Sequence, residues 1–192
     1  MKNAARLLLF FVVCAMAAPQ TEDLGLGAYS NEKGPILMAV DASLAVKQLD
    51  SPYVMFILYM GAKKQDQNIV VSRNDVTLVW NGQELALPTF KELKQNYNGE
   101  IHDIVFYRHL AKAGIISAWI RLYKFLDDGE FFPAHTMKAT PPRDEASLYG
   151  FIAFRTKCYF KNPGFKKGDQ VLIKVHDKKD PSITVEVGVI FK

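Results

Sequence analysis

Two short β-prone segments joined by Asn81-Gly82 constrain the fold of this chain more than any other feature of its sequence. Residues 76–80 read Val-Thr-Leu-Val-Trp, and residues 83–87 read Gln-Glu-Leu-Ala-Leu. Asn-Gly suits a two-residue type I′ turn, because both central positions of that turn need a positive φ. The pattern predicts a tight β-hairpin and therefore an antiparallel sheet.

Other stretches with strand character lie on both sides of the hairpin. Residues 53–60 are apolar at every position, which predicts a central strand covered on both faces. The remaining predicted strands are residues 36–47, 69–71, 115–126, 148–160, 170–176 and 182–191. About eight strands joined by polar turns favour an antiparallel β-sandwich. A closed barrel stays open as the alternative, because an alternating pattern is common to both.

A helical insertion interrupts the strands at residues 89–113. Thr89-Phe90-Lys91-Glu92 fits a capping box that begins a first helix. A second helix is predicted from Glu100 to about Ala113, where Gly114 ends it. The fold class predicted from these patterns is mainly β, with about eight strands and a short two-helix insertion.

The first 17 residues have the organisation of a secretory signal peptide. Lys2 and Arg6 precede an unbroken apolar run at residues 7–13, and Ala15-Met16-Ala17 offers a small-x-small cleavage site. The apolar run is shorter than the roughly 20 residues that span a bilayer. We therefore expect cleavage after Ala17, an exported protein, and no transmembrane segment in the mature chain.

The segments that flank this cleavage site also carry predictions. Cys14 suggests a lipid anchor, but the Phe-Val-Val before it lacks the small residue expected there, so lipidation is the weaker interpretation. Residues 18–35 contain Gly25, Gly27 and Gly34 and are predicted to form a flexible lead-in. Residues 36–192 then form one domain.

The mature chain is almost neutral and has one cysteine. Cleavage removes two of the 24 Lys and Arg residues, so 22 remain against 20 Asp and Glu. This balance gives no argument for nucleic acid as a partner. Cys158 alone cannot form an internal disulfide, and its strand-like surroundings predict a small buried side chain.

The C-terminal third has aromatic and Lys-Gly-Asp patterns that recur in β-sandwiches. These are Tyr149-Gly-Phe-Ile-Ala-Phe and Lys167-Gly-Asp-Gln-Val-Leu-Ile-Lys-Val, with Val-Thr-Leu-Val-Trp-Asn-Gly-Gln upstream at residues 76–83. On these residues, about half of the mature chain resembles small bacterial exported proteins with an immunoglobulin-like sandwich. The resemblance implies an extracytoplasmic β-sandwich and no activity. Two departures are the helical insertion and the missing Cys…Trp…Cys spacing.

Two groups of residues are alternative ligand sites, although the sequence favours an ordinary structural role for both. His102 and His109, with Asp103 adjacent, lie on the predicted second helix, and His135 follows in a proline-rich loop. Their spacing lacks the i, i+4 pair of a helical metal site. Asp127-Asp-Gly-Glu lacks the alternating oxygen ligands of a calcium loop and fits an ordinary turn.

The sequence contains none of the common catalytic motifs. Gly-x-Ser-x-Gly, His-Glu-x-x-His and a phosphate-binding glycine loop are all missing. Carboxylate pairs of the glycosidase type stay open, because they need no proximity in sequence. We predict no catalytic, cofactor-binding or metal-binding residue.

Two surface features bear on partners. Phe131-Phe132, next to Pro133, is interpreted as a plug for one open end of the sandwich, with a partner contact as the alternative. The basic C-terminal end is interpreted as protection of sheet edges, with docking to an anionic envelope surface as the alternative. Its lysines are Lys161, Lys166, Lys167, Lys174, Lys178, Lys179 and Lys192.

The sequence therefore favours a non-catalytic binding or interaction module of the cell envelope or extracellular space, with an unknown protein or envelope component as its partner. The first alternative is a small-ligand carrier with a pocket between the sheet and the helical insertion. The second is an enzyme without a recognisable motif. A carrier should have an internal apolar cavity, whereas an interaction module should have an exposed apolar patch.

Overall fold

The structure is a computed structural model that describes residues 20–111, 124–127, 145–150 and 152–192. Within these ranges the chain is mainly β, as predicted, and has twelve strands rather than about eight. The strands are β1 (Glu22–Gly25), β2 (Ala28–Asn31), β3 (Ile36–Asp41), β4 (Tyr53–Ala62), β5 (Asn68–Ser72), β6 (Val76–Trp80), β7 (Gln83–Ala86), β8 (Lys124–Asp127), β9 (Glu145–Tyr149), β10 (Ile152–Lys161), β11 (Gln170–His176) and β12 (Thr184–Ile190). The helices are α1 (Phe90–Asn96) and α2 (Glu100–Ala111).

The strands form two sheets. The large sheet has the order β1-β2-β3-β4-β10-β9-β5, and β8 also pairs with β10. The small sheet has the order β12-β11-β6-β7. All of these pairs are antiparallel except β8 with β10, which is parallel.

Strand β4 is buried along its whole length, as predicted for a strand covered on both faces. Side chains of alternating residues such as Phe56 and Leu58 enter the core between the two sheets. The intervening residues, such as Ile57 and Tyr59, enter a second cluster on the opposite face. This division follows from the two-residue period of a strand.

Aromatic rings fill the centre of the core between the sheets. The Phe56 ring lies edge-on to Phe160 with 6.0 Å between centroids, and Phe191 lies 6.1 Å from Phe56. Valine and isoleucine side chains of β11 and β12 complete this core from the small sheet. Full burial of one such side chain stabilises the fold by about 1.5–3 kcal/mol.

The Asn-Gly hairpin is confirmed as β6 and β7. Asn81 has a φ of 50° and Gly82 a φ of 78°, the positive values that a type I′ turn requires. Trp80 pairs with Gln83 across the turn. The hairpin forms one side of the small sheet.

The two predicted helices are also confirmed, and they cover the outer face of the large sheet. Thr89 begins α1, and its hydroxyl oxygen accepts a hydrogen bond of 3.1 Å from the backbone N–H of Glu92. Leu93 of α1 and Tyr107 of α2 are buried in the same cluster as Tyr59. The described part of α2 ends at Ala111, so the predicted stop at Gly114 lies outside the described residues. No helix in the described part of the chain is long and apolar enough to cross a membrane.

The flexible lead-in predicted at residues 18–35 is wrong for residues 22–31, which form β1 and β2. Gly25, Leu26 and Gly27 have φ values of 85°, 52° and 84°. These glycines therefore provide the left-handed backbone of a tight hairpin turn. In the sequence, the same glycines predicted flexibility.

Two other predicted strands are interrupted. The strand expected at residues 36–47 ends at Asp41, whose carboxylate accepts a hydrogen bond from the Ser43 N–H, and a 3₁₀ helix follows at Ala45–Gln48. The strand expected at 148–160 is divided into β9 and β10 by Gly150, which has a φ of 58°. Of the strand expected at 115–126, only residues 124–126 lie within the described ranges, in β8.

We predict that Thr156→Val raises the free energy of unfolding by about 1 kcal/mol, because its buried hydroxyl has no hydrogen-bond partner among the described residues. Thr156 of β10 is 1% exposed, and valine keeps its shape. Denaturant unfolding measures the change. The control is Thr184→Val, which removes the 3.1 Å hydrogen bond from the Thr184 hydroxyl to the Val175 carbonyl and should lower stability. Equal destabilisation by both substitutions would contradict the prediction.

Candidate functional site

The outer face of the small sheet carries a hollow with an apolar floor. Val79 of β6 and Gly188 of β12 are the direct cross-strand neighbours of Leu172 on β11. Because Gly188 has no side chain, the surface formed by Val79, Leu172 and Gly188 is depressed at the Gly188 end. The hollow measures about 360 Å³. We call it the Gly188 groove; its lining residues are Thr21, Asp23, Tyr29, Val79, Gln170, Val171, Leu172, Gly188, Val189 and Ile190.

One wall of the groove comes from the N-terminal segment at residues 21–31, whose polar side chains form hydrogen bonds with the outer edge of β12. The Gly188 N–H donates to the Thr21 hydroxyl oxygen at 2.8 Å, and the Tyr29 hydroxyl donates to the Ile190 carbonyl at 2.9 Å. The Asn31 amide donates to the Glu186 carbonyl at 2.9 Å. These side chains cover a strand edge that would otherwise be open to pairing, and they fix the wall relative to the floor.

The rim of the groove carries a negative charge. Asp23 forms an ion pair with Lys192 and accepts a hydrogen bond of 2.8 Å from the Gly25 N–H. Both contacts, the lysine first, lower the pKa of the Asp23 carboxyl below its usual range. The Lys192 ammonium also lies 5.9 Å from the centroid of the Tyr29 ring. An apolar floor therefore borders an ionised carboxylate.

A second polar cluster lies beneath α2, against the outer face of the large sheet. The Asp103 carboxylate accepts hydrogen bonds from the Tyr97 hydroxyl at 2.6 Å and the Tyr159 hydroxyl at 3.4 Å. The Tyr59 and Tyr107 hydroxyls lie 2.5 Å apart. Because these tyrosines come from β4, β10 and the helical segment, the cluster fastens the insertion to the sheet.

Burial controls the protonation of this tyrosine cluster. Desolvation raises the pKa of Tyr107 far above its ordinary value, and the neighbouring Tyr59 adds to the effect. Desolvation and the bond to Asp103 raise the pKa of Tyr97 in the same direction. Both hydroxyls therefore stay protonated, a state that suits a structural role.

The histidine and aspartate residues weighed as metal ligands are only partly described. His102 is exposed on α2 and stacks on Phe106 with 6.4 Å between ring centroids, whereas Asp103 is buried among the tyrosines. No group of three or more His, Cys, Asp or Glu residues could hold a metal within the described ranges. The His109 side chain and His135 lie outside what the structure describes.

Two other sequence features also fall largely outside the described residues. Asp127 ends β8, but the rest of the Asp-Asp-Gly-Glu turn is not described. Phe131-Phe132, interpreted as a plug or a partner contact, is not described either. The predictions for both segments therefore stay predictions.

Several C-terminal lysines are paired with carboxylates. Lys174 lies 3.6 Å from Glu186 on the outer face of the small sheet. Lys178 pairs with Glu145, and Lys192 with Asp23. These ion pairs leave less positive charge for an anionic envelope surface than the sequence suggests.

Cys158 is buried in the core between the sheets, as predicted. It is 0% exposed, and burial raises the pKa of its thiol. A buried neutral thiol is a poor nucleophile, because the reactive form is the thiolate.

The sequence did not indicate the Gly188 groove, although one signal was available. In β12 the outward positions are Thr184, Glu186, Gly188 and Ile190, so glycine interrupts an otherwise regular strand. A glycine inside a strand often marks a close approach of another group. The sequence could not indicate the contribution of Thr21 and Tyr29, because each forms a hydrogen bond with a residue of β12 that lies more than 160 positions away.

Comparison with known proteins gives no relative: no family model, no curated protein and no solved structure matches this chain.

We predict that Tyr107→Phe reduces the loss of stability at alkaline pH. Tyr107 has a raised pKa in the folded protein, while its ordinary value is 10.0. Tyr107 therefore makes its full contribution to the free energy of unfolding below pH 10. This contribution is lost as the pH rises above 10, because unfolding then releases a proton. The variant should have a shallower fall of unfolding free energy above that pH, measured by denaturant titration. Leu93→Ala is the control: it weakens the same interface but should keep the wild-type slope.

We also predict that Cys158 does not react with a thiol reagent in the native protein. Its reaction rate should rise with denaturant in parallel with unfolding, because the thiol must first be exposed and ionised. Lys91→Cys supplies an exposed thiol on α1 as the control and should react without denaturant. Fast labelling of native Cys158 would show that the core between the sheets opens locally.

Proposed function

We propose that this chain is an exported, non-catalytic binding module whose Gly188 groove accepts an apolar side chain of a partner protein. The observation that carries the proposal is the hollow on the outer face of the small sheet, floored by Val79, Leu172 and Gly188. An exposed apolar surface with a polar rim is typical of a protein contact.

The dimensions and position of the groove support this role. A volume of about 360 Å³ is sufficient for one large apolar side chain. The floor is rigid, because β11 is paired on both sides, with β6 and β12. Binding energy in protein interfaces concentrates on anchor residues that enter such preformed pockets.

The structure favours a binding module over a small-ligand carrier. The carrier hypothesis places a pocket between the sheet and the helical insertion. In the described part of that interface, Ile57 and Tyr59 of the large sheet are buried in one cluster with Leu93 and Tyr107 of the helices. The space is thus occupied by the protein's own side chains.

The structure also gives less support to an enzyme than to a binding module. An active site would bring perturbed titratable groups together in an accessible cleft. The tyrosines with raised pKa values lie beneath α2, where they bond to each other and to Asp103. Their hydrogen bonds account for their arrangement without a substrate.

Export and the immunoglobulin-like class belong to the same proposal. The signal-peptide pattern of residues 1–17 supports export. Two sheets that share one core support the immunoglobulin-like class. The twelve described strands and the helical cover of the large sheet depart from the seven or nine strands usual in that class.

Photocrosslinking from the groove tests the proposal. A photoreactive amino acid at Val79 should give an adduct of defined mass in cells of the native host. The same group at Thr77, on the same face of β6 but outside the groove lining, is the matched control and should give none. The adduct should occur in the extracytoplasmic fraction of the cells. The mass of the mature protein without the adduct should correspond to residues 18–192.

The Gly188→Val variant tests whether the adduct depends on the hollow. A valine side chain at this position should fill the hollow and reduce the Val79 adduct at least tenfold, while strand structure measured by circular dichroism is kept. Equal adducts from Val79 and Thr77, or an adduct unaffected by Gly188→Val, would contradict binding in the groove.

A further inference from the structure

One end of the Gly188 groove already holds a positively charged group. The Lys192 ammonium contacts the Asp23 carboxylate and lies over the face of the Tyr29 ring. A carboxylate beside an aromatic face is a combination that binds ammonium and guanidinium groups, through an ion pair and a cation–π contact. Asp23 and Tyr29 both belong to the groove lining.

The lysine that fills this position can be exchanged at small cost. Its side chain is 60% exposed, and that of Asp23 is 42% exposed. Ion pairs with this exposure contribute little to stability, because solvent screens them. Lys192 is therefore a weak occupant of the cation position.

The backbone next to Lys192 is fixed, so only the lysine side chain has to move. Phe191 is buried in the core between the sheets. Its N–H donates to the Asp169 carbonyl at 3.0 Å, and its carbonyl accepts from the Gly168 N–H at 2.6 Å. The side chain of Lys192 can leave Asp23 without disturbing the strand.

The charges around the groove favour a cationic partner. Asp23 is ionised beside Lys192, whose contact is the main cause of its lowered carboxyl pKa, and a second cation in the same position would lower that pKa in the same way. On the neighbouring part of the same face, Glu186 and Lys174 neutralise each other. When Lys192 leaves, the Asp23 carboxylate of the groove lining loses this counter-ion.

We propose that the group bound by the groove is a lysine or arginine side chain flanked by apolar residues of an extended partner segment, and that Lys192 is an internal competitor for its cation position. The apolar neighbour enters the hollow above Gly188, and the cationic group replaces Lys192 between Asp23 and Tyr29. This inference rests on the proposed function of the groove and adds the chemistry of the partner.

Matched peptides test the charge requirement. The probes are the capped peptides Leu-Lys-Leu, Leu-Gln-Leu and Leu-Glu-Leu, added to the isotope-labelled mature protein. Binding is followed by nuclear magnetic resonance at the Gly188 N–H and the Leu172 methyl groups. The lysine peptide should shift these signals at the lowest concentration, and the glutamate peptide at the highest.

Two substitutions test the roles of the rim residues. Lys192→Met removes the competitor and should strengthen binding of the lysine peptide about twofold to fivefold, the range expected for loss of an exposed ion pair. Asp23→Asn keeps a side-chain oxygen for the Gly25 N–H but removes the charge, so the lysine and glutamine peptides should then bind equally. Gly188→Val should abolish the changes at the Leu172 methyl groups for all three peptides.

The outcomes separate this inference from the proposed function. Equal binding of the lysine and glutamine peptides to the unaltered protein would overturn the cation requirement but leave the apolar groove as a binding site. Weaker binding of the lysine peptide to Lys192→Met would overturn the competitor role. Signal changes at Gly188 and Leu172 with none of the peptides would overturn both proposals.

Discussion

Strand β4 supplies side chains to two cores at once, and both layers of packing depend on it. Phe56 and Leu58 pack toward the small sheet, while Ile57 and Tyr59 pack toward the helices. Hydrogen bonds to β3 and β10 hold β4 in place on both sides. A one-residue change of register would exchange the two sets of side chains between the cores. The register of β4 thus fixes where the helical insertion and the small sheet can dock.

The edges where the two sheets meet are closed by side chains as well as by backbone pairing. On one side, Tyr29 and Asn31 donate to carbonyls of β12. On the other side, the buried Asp177 carboxylate accepts from the Val70 N–H of β5 at 2.9 Å. The Gly188 groove results from the first of these two sets of contacts, because the strands that cover the edge of β12 also form one wall of the groove. The proposed binding surface and the protection of the β12 edge therefore use the same residues.

Local sequence patterns predicted helices, strands and turns. The features that these patterns missed depend on pairing between residues that are distant in sequence. The Asn81-Gly82 turn, the two-sided burial of residues 53–60 and the Thr89 cap each depend on neighbours in sequence, and each is confirmed. The strands at 22–31 were missed because their glycines fit either a flexible segment or a left-handed turn. The Gly188 groove required knowledge that the N-terminal strands lie against β12, which periodicity does not contain.

The bond from Tyr29 to Ile190 joins residues 161 positions apart, and the bond from Gly188 to Thr21 joins residues 167 apart. A ribosome produces Thr21 and Tyr29 long before β12 exists. The contacts between the groove wall and β12 can therefore form only after the last strand has been synthesised, and contacts of such high sequence separation form slowly. The groove is therefore incomplete until the C-terminal strand has paired with the rest of the fold.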